Sequence, residues 1–272
     1  MIILKKWLQG ILSAIILIVT LSGVCLYNYA VAKETAIEKK KEEVVIKTKE
    51  TASTSKKESS QLSKKEKLNQ QLPKGAKPSN WDLLLVNYNH PLNDNYQPKL
   101  EEIDGQRLDK RVVSHYEAMA KAAKKAGVPL TIVSSYRSAT YQRKIYNEQI
   151  QTYVNQGKSK KEAEKATADY MTKPGTSEHH TGLSLDVLGM SYYEKGGTLD
   201  EIFAKDKSAK WLAAHCAEYG FIIRYPKGKE KITHIHYEPW HLRYVGKENA
   251  QYITTHHLTL EEYIQQLKEA GR

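Results

Sequence analysis

Two segments carry the chemistry of this chain: Ser177-Glu178-His179-His180-Thr181-Gly182-Leu183-Ser184-Leu185-Asp186 and, further along, Glu238-Pro239-Trp240-His241. Together they supply three histidines, one aspartate and two glutamates, enough for two histidine ligands, one aspartate ligand and a spare glutamate. That is the inventory of a catalytic zinc site: three protein ligands, a fourth position open to water, and a carboxylate to move protons. The residue types point to a zinc hydrolase.

Positioning these side chains calls for a sheet and a tight turn. Leu183, Leu185 and Val187 alternate with Ser184 and Asp186, as in a strand with one buried face, which leaves Asp186 facing a cleft. His179 stands just before Gly182, where a glycine lets the backbone turn tightly enough to return a loop histidine to the strand. His241 must come from another strand. Pro239 interrupts a regular ladder there, so a bend can aim Glu238 and His241 into the same cleft.

The surrounding pattern alternates helices and strands. Val112, Val113, Tyr116, Met119, Ala120 and Ala123 recur at helical spacing, with Gly127 placed as a C-terminal cap. Residues 129–136 predict a short strand and 140–156 a helix, while Ser159-x-x-Glu162 and Thr259-x-x-Glu262 read as capping boxes. Residues 208–219 predict a helix stopped by Gly220, and 221–224 and 232–244 complete the sheet. No internal repeat is present. The expected fold class is α+β: one domain over residues 81–272, with a small antiparallel sheet flanked by helices.

The first third reads differently. After Lys5 and Lys6 an apolar stretch runs over residues 7–26, long enough to cross a bilayer, and Ala30-Val31-Ala32 offers a signal-peptidase site. Residues 1–32 are therefore expected to be a membrane anchor or a cleaved signal peptide. Val24 occupies the position before Cys25 where a lipoprotein signal wants a smaller residue. Residues 33–80 hold 13 Lys and 7 Glu with almost no apolar surface, the composition of a disordered linker.

Of the formal net charge of +11, Lys5 and Lys6 carry +2, residues 33–80 carry +6 and residues 81–272 only +3. The basic balance belongs to the tail, beside a membrane or an anionic wall polymer, and no nucleic-acid partner is expected. Of the two cysteines, Cys25 lies in the apolar stretch and Cys216 in the domain, so the domain forms no internal disulfide. Cys216 sits at helical spacing as a small core residue.

Ser-x-His-x-x-Gly-x-x-x-Asp, then Glu-x-Trp-His followed by Leu-Arg-Tyr-Val-Gly, resembles the VanY-like zinc D-alanyl-D-alanine carboxypeptidases of bacterial cell walls. Ser134-Ser135-Tyr136-Arg137-Ser138 with Gln142, and Leu85-Val86-Asn87 before them, extend the resemblance over most of residues 81–250. It implies one zinc per chain held by His179, Asp186 and His241, with Glu238 as general base and Arg137 beside the scissile carbonyl or the substrate carboxylate. Ser177, Gln142 and Tyr225 match positions that line the substrate pocket.

The chain departs from that family at His180, Ser184 and His234, where Gln, Ala and Gly are usual. With His236, the extra histidines are candidate decoy ligands, and a strand over 232–244 would put His234, His236 and Glu238 on one side, with His236 supporting the site from outside the metal. The implied activity is removal of the terminal D-alanine from peptidoglycan stem peptides, a D,D cut. An L,D cut on tetrapeptide stems, a wall endopeptidase and a non-catalytic wall-binding module are the alternatives. A monomer on the outer face of the cell membrane is expected, or a secreted protein if cleavage follows Ala32.

Overall fold

A computed structural model describes residues 64–93 and 95–272, together with 23, 28–29, 31–43 and 47. The chain divides into two compact units, Met1–Lys64 and Lys65–Arg272. In the first, residues 31–43 form an exposed helix. The apolar stretch at 7–26, residue 23 apart, and most of the linker before residue 64 lie outside the described residues. Among the described residues no helix is long and apolar enough to cross a membrane.

A helix over 64–71 and a 3₁₀ turn, Trp81–Leu83, precede a hairpin of the second unit, β1 (Leu100–Ile103) against β2 (Gln106–Asp109). The Asp109 carboxylate then accepts from the Arg111 amide and caps α1 (Lys110–Lys125), whose buried stripe is Val112, Val113, Tyr116, Met119 and Ala123. After β3 (Leu130–Ser134) come α2 (Ala139–Asn155) and α3 (Lys160–Ala168), the latter started by the Ser159/Glu162 capping box. β4 (Ser184–Gly189), α4 (Lys207–His215), β5 (Phe221–Tyr225), β6 (Glu238–Tyr244), α5 (Lys247–Thr255) and α6 (Leu260–Glu269) follow. The second capping box, Thr259/Glu262, starts α6.

β3, β4, β6 and β5, in that order, form one antiparallel sheet, as the α+β reading requires. One face packs Leu185, Val187, Trp240 and Leu242 against Val112 and Met119 of α1 and Leu212 of α4. On the other face Asp186 lies directly opposite His241, and Ser184 opposite Arg243. These four are buried as well, so β4 has two covered faces where the alternation suggested one. On the second, Ser184 and Arg243 bond Glu178, and Asp186 and His241 face a cleft.

Three further elements differ from the sequence reading. The strand expected over 232–244 begins only at Glu238, because Glu230–Thr233 is a helical turn that ends in left-handed His234 (φ 59°). A left-handed residue breaks the pleat, so His234 and His236 share no strand face with Glu238. Residues 208–219 divide into α4 and a 3₁₀ turn, Cys216–Tyr219, before Gly220 at φ 91°. Finally, the stretch from Lys65 belongs to the folded unit: Leu72 and Ala76 are buried with Leu83, Tyr263 and Leu267, although their lysine-rich surroundings read as solvated linker.

Gly182 joins the histidine loop to β4 at φ +71°, and a Cβ there would lie 2.8 Å from the Asp109 backbone nitrogen. Gly182→Ala is therefore expected to cost about 1–3 kcal/mol of stability, read by urea unfolding. An unchanged midpoint would contradict the close approach.

Candidate metal centre and active-site cleft

His179 and His180 sit on a single 3₁₀ turn, Glu178–Thr181, whose first amide groups are capped by Ser177: its hydroxyl accepts from the His179 N–H at 3.3 Å. The His179 Nδ1 lies 2.7 Å from the Ser135 carbonyl oxygen. A carbonyl only accepts, so Nδ1 carries the proton and Nε2 presents its lone pair. That lone pair points to Asp186, 3.4 Å from Nε2 to Oδ2. Across the sheet the His241 Nδ1 is 3.1 Å from Asp186 Oδ1 and 3.4 Å from Glu238 Oε2.

Glu238 reaches this cluster through an irregularity in the ladder. Tyr225 pairs with Glu238 and Ile223 with Leu242, so Arg224 alone on β5 stands opposite Pro239, Trp240 and His241 of β6. Pro239 lies in that bulge, and the bulge turns Glu238 to the same side as His241. A second irregularity lies between Ile132 and Ser134 at the end of β3, just before the Ser135 carbonyl and Arg137.

The decisive feature is what lacks a partner. Among the described residues, the buried side-chain atoms without a hydrogen bond are Arg137 Nε, Gln142 Oε1, His179 Nε2, Asp186 Oδ1 and His241 Nε2. All five residues line one cleft of about 610 Å³, which Ser177, Tyr225 and Glu238 also line. Burying an unpaired polar atom costs about 1–3 kcal/mol; His241 Nε2 faces Glu178, and the other four call for a partner such as water or a ligand. His179, Asp186 and His241 offer ligand atoms within 4.8 Å of one another. Two imidazoles and a carboxylate, with Glu238 alongside, suit zinc with an open fourth position.

Electrostatics separates the carboxylates. Burial raises the Asp186 carboxyl, but His179 and His241 outweigh it and hold it well below the ordinary range. Burial pushes Glu238 up to about 8, His241 opposing and Asp186 adding. For His241, burial is outweighed by Asp186 and Glu178, which raise it to about 9. His179, desolvated and facing Arg137, falls to about 4. The metal-free site thus holds protons that a divalent cation displaces.

The remaining residues named from the sequence fall into two groups. Arg137 Nη2 lies 3.8 Å from Asp186, and Gln142 donates from Nε2 to the Thr172 carbonyl at 2.8 Å, leaving Oε1 free in the cleft. The Tyr225 ring tilts against His241 with centroids 4.9 Å apart. The extra histidines stand outside the cluster. His180 uses both nitrogens, donating from Nδ1 to the Arg137 carbonyl at 2.6 Å and accepting from the Gly175 amide at 3.1 Å. His236 stacks on Tyr170, 4.6 Å between rings, and so braces the cleft wall rather than the metal group.

Sequence reasoning missed a buried ion network behind the site: Glu178, Arg224, Arg243 and Glu261. The signal was available, since an arginine inside Phe-Ile-Ile-Arg-Tyr or His-Leu-Arg-Tyr is a charge within a buried strand and needs a partner.

Residues 105–247, more than half the chain, match the VanY family model, described as D-alanyl-D-alanine carboxypeptidase. The chain belongs to the VanY family. YodJ of Bacillus subtilis (strain 168) is 39% identical over 198 residues, covering 69% of this chain and 68% of YodJ. A zinc complex of a mutant VanY D,D-pentapeptidase from a VanB-type resistance cassette superposes with a TM-score of 0.61 at 35% identity, over 68% of this chain and 99% of that one. LdcB, an LD-carboxypeptidase, superposes with a TM-score of 0.58 at 38% identity, over 69% and 88%.

The raised groups set a pH dependence. Between about pH 4.5 and 8 the folded metal-free chain holds a proton on Glu238 that the unfolded chain has released, and between 6.5 and 9 it does so on His241. Both contributions are full below the unfolded value and are lost as pH rises through the folded one. The chelator-treated protein should therefore melt lower at pH 9 than at pH 6.5. A melting temperature that rises over that interval would contradict these assignments.

Proposed function

We propose that this chain is a zinc-dependent D,D-carboxypeptidase that removes the C-terminal D-alanine from peptidoglycan stem peptides. The observation that carries the reading is the convergence of unpartnered buried atoms on His179, Asp186 and His241, beside Glu238, in a member of the VanY family. His179, Asp186 and His241 hold the metal. When bound, zinc polarises the scissile carbonyl and makes water acidic enough to attack near neutral pH.

The chain's own residues do the rest. Glu238 takes a proton from the attacking water and returns it to the departing amine of D-alanine. Its burial keeps it a weak acid, and a cation beside it restores the basic form. Arg137, with Nε free, offers a planar fork of donors to the oxygen that gains charge or to the substrate's terminal carboxylate. Gln142 Oε1 accepts from a substrate N–H, Ser177 holds the histidine turn at the cleft wall, and Tyr225 packs against the His241 ring.

The likeness to LdcB favours a second reading, an L,D cut on tetrapeptide stems. Incubating one preparation with pentapeptide and tetrapeptide stems, and measuring the D-alanine released, separates them. Faster release from the pentapeptide is expected, and release from the tetrapeptide alone would give the L,D assignment. The apolar stretch at 7–26 and the lysine-rich tail support export, with the domain outside the membrane and within reach of the wall. Protease added to intact cells should then cleave the domain.

Replacing the base tests chemistry apart from binding. Glu238→Gln should keep zinc and lose turnover by about 100-fold or more. Arg137→Ala should lower kcat/KM by about 100- to 1000-fold without unfolding the domain. Activity within a few-fold of wild type in either variant would remove that residue from its role.

A further inference from the structure

Glu178 sits between the metal group and the ion network, and is 1% exposed. Its Oε1 accepts from Arg224 Nε at 2.8 Å and from Arg243 Nη1 at 2.7 Å. Both arginines are fixed at their far ends. Arg224 donates to Glu261 of α6 at 2.9 and 2.6 Å, and Arg243 donates to the carbonyls of Asp82 and Leu84 at 3.1 and 2.7 Å. Oε1 is thereby committed, while Oε2 faces Ser184 Oγ at 3.2 Å and His241 Nε2 at 3.8 Å. That Nε2 is buried and has no hydrogen-bond partner among the described residues, whereas the opposite ring atom, Nδ1, faces Asp186 and Glu238.

We propose that Glu178 is a positioning residue for the metal: through Oε2 it keeps the His241 proton on Nε2 and so leaves the Nδ1 lone pair aimed into the cleft. The inference rests on the zinc reading above and adds what selects the ligating atom. Nδ1 also faces carboxylates, so a metal there takes the place of a proton; the remaining proton then sits on Nε2, where Glu178 Oε2 is the acceptor that faces it, and a histidine held so presents its other nitrogen in a fixed direction. The anchors at Asp82, Leu84 and Glu261 lie outside the matched family range of 105–247, so both ends of the folded unit contribute to the setting of one tautomer.

The test reads the tautomer directly. In the zinc-loaded full chain with ¹⁵N-labelled histidine, His241 should show a proton on Nε2 that exchanges slowly with water and a metal-bound Nδ1. In Glu178→Gln the amide oxygen must turn to the two arginines, so its NH₂ faces Nε2 and favours the other tautomer. Zinc affinity in a chelator competition should then fall by about 10- to 100-fold, and the metal-free protein should melt lower as well, because two buried guanidiniums lose the carboxylate charge between them. Zinc on Nε2 of His241, or a Glu178→Gln affinity within about two-fold of wild type, overturns the proposal. Should Glu178→Gln not fold, the wild-type spectrum decides alone. A wild-type chain that takes up no zinc shows no metal-dependent change at any histidine, and overturns the zinc reading as well.

Discussion

One cross-strand pair governs this molecule: Asp186 on β4 lies directly opposite His241 on β6. A slip of one residue would send both to the other face of the sheet and bring Leu185, Val187, Trp240 and Leu242 out of the core. Exposing each of those apolar side chains costs about 1.5–3 kcal/mol, and turning Asp186 and His241 into the apolar core in their place adds to that cost. The apolar face therefore holds the register, and the metal-binding face is carried with it. Everything else that matters for chemistry is hung on that register: the bulge in β6 supplies Glu238, the turn closed by Gly182 supplies His179, and the end of β3 supplies Arg137.

The three buried glutamates and aspartates of the region behave differently because their partners differ. Glu178 is desolvated but faces two guanidinium groups, and Asp186 two imidazoles, so both stay in the charged form. Glu238 is equally buried, and His241 and Arg137 do not offset its desolvation and the nearby charge of Asp186, so it rises to about 8. Which buried carboxyl keeps a proton and which stays charged is thus set by surroundings, not by residue type.

What the sequence made legible was local or periodic. Capping boxes at Ser159 and Thr259, the stripe along α1 and the glycine stops at Gly127 and Gly220 depend on neighbours a few residues away, and all are present. The early break before β6 was not legible, because Ile232, Ile235 and Tyr237 read as strand while left-handed His234 interrupts them. Nor was the packing of Leu72 and Ala76, since two small apolar contacts are invisible in a run of lysines until their partners on α6 are known. At the site, the motif brought out the residues that face the cleft. Those behind it, Glu178 with Arg224 and Arg243, required knowing which strands adjoin.

The most direct test is the position of the metal. Crystals of the zinc-loaded chain, measured on both sides of the zinc absorption edge, should give a single strong anomalous peak per chain within about 2.0–2.2 Å of His179 Nε2, an Asp186 carboxylate oxygen and His241 Nδ1, with Glu238 close but not coordinating. A peak held by Glu238 in place of Asp186, by His180 or His236, or by none of these residues would contradict the site described.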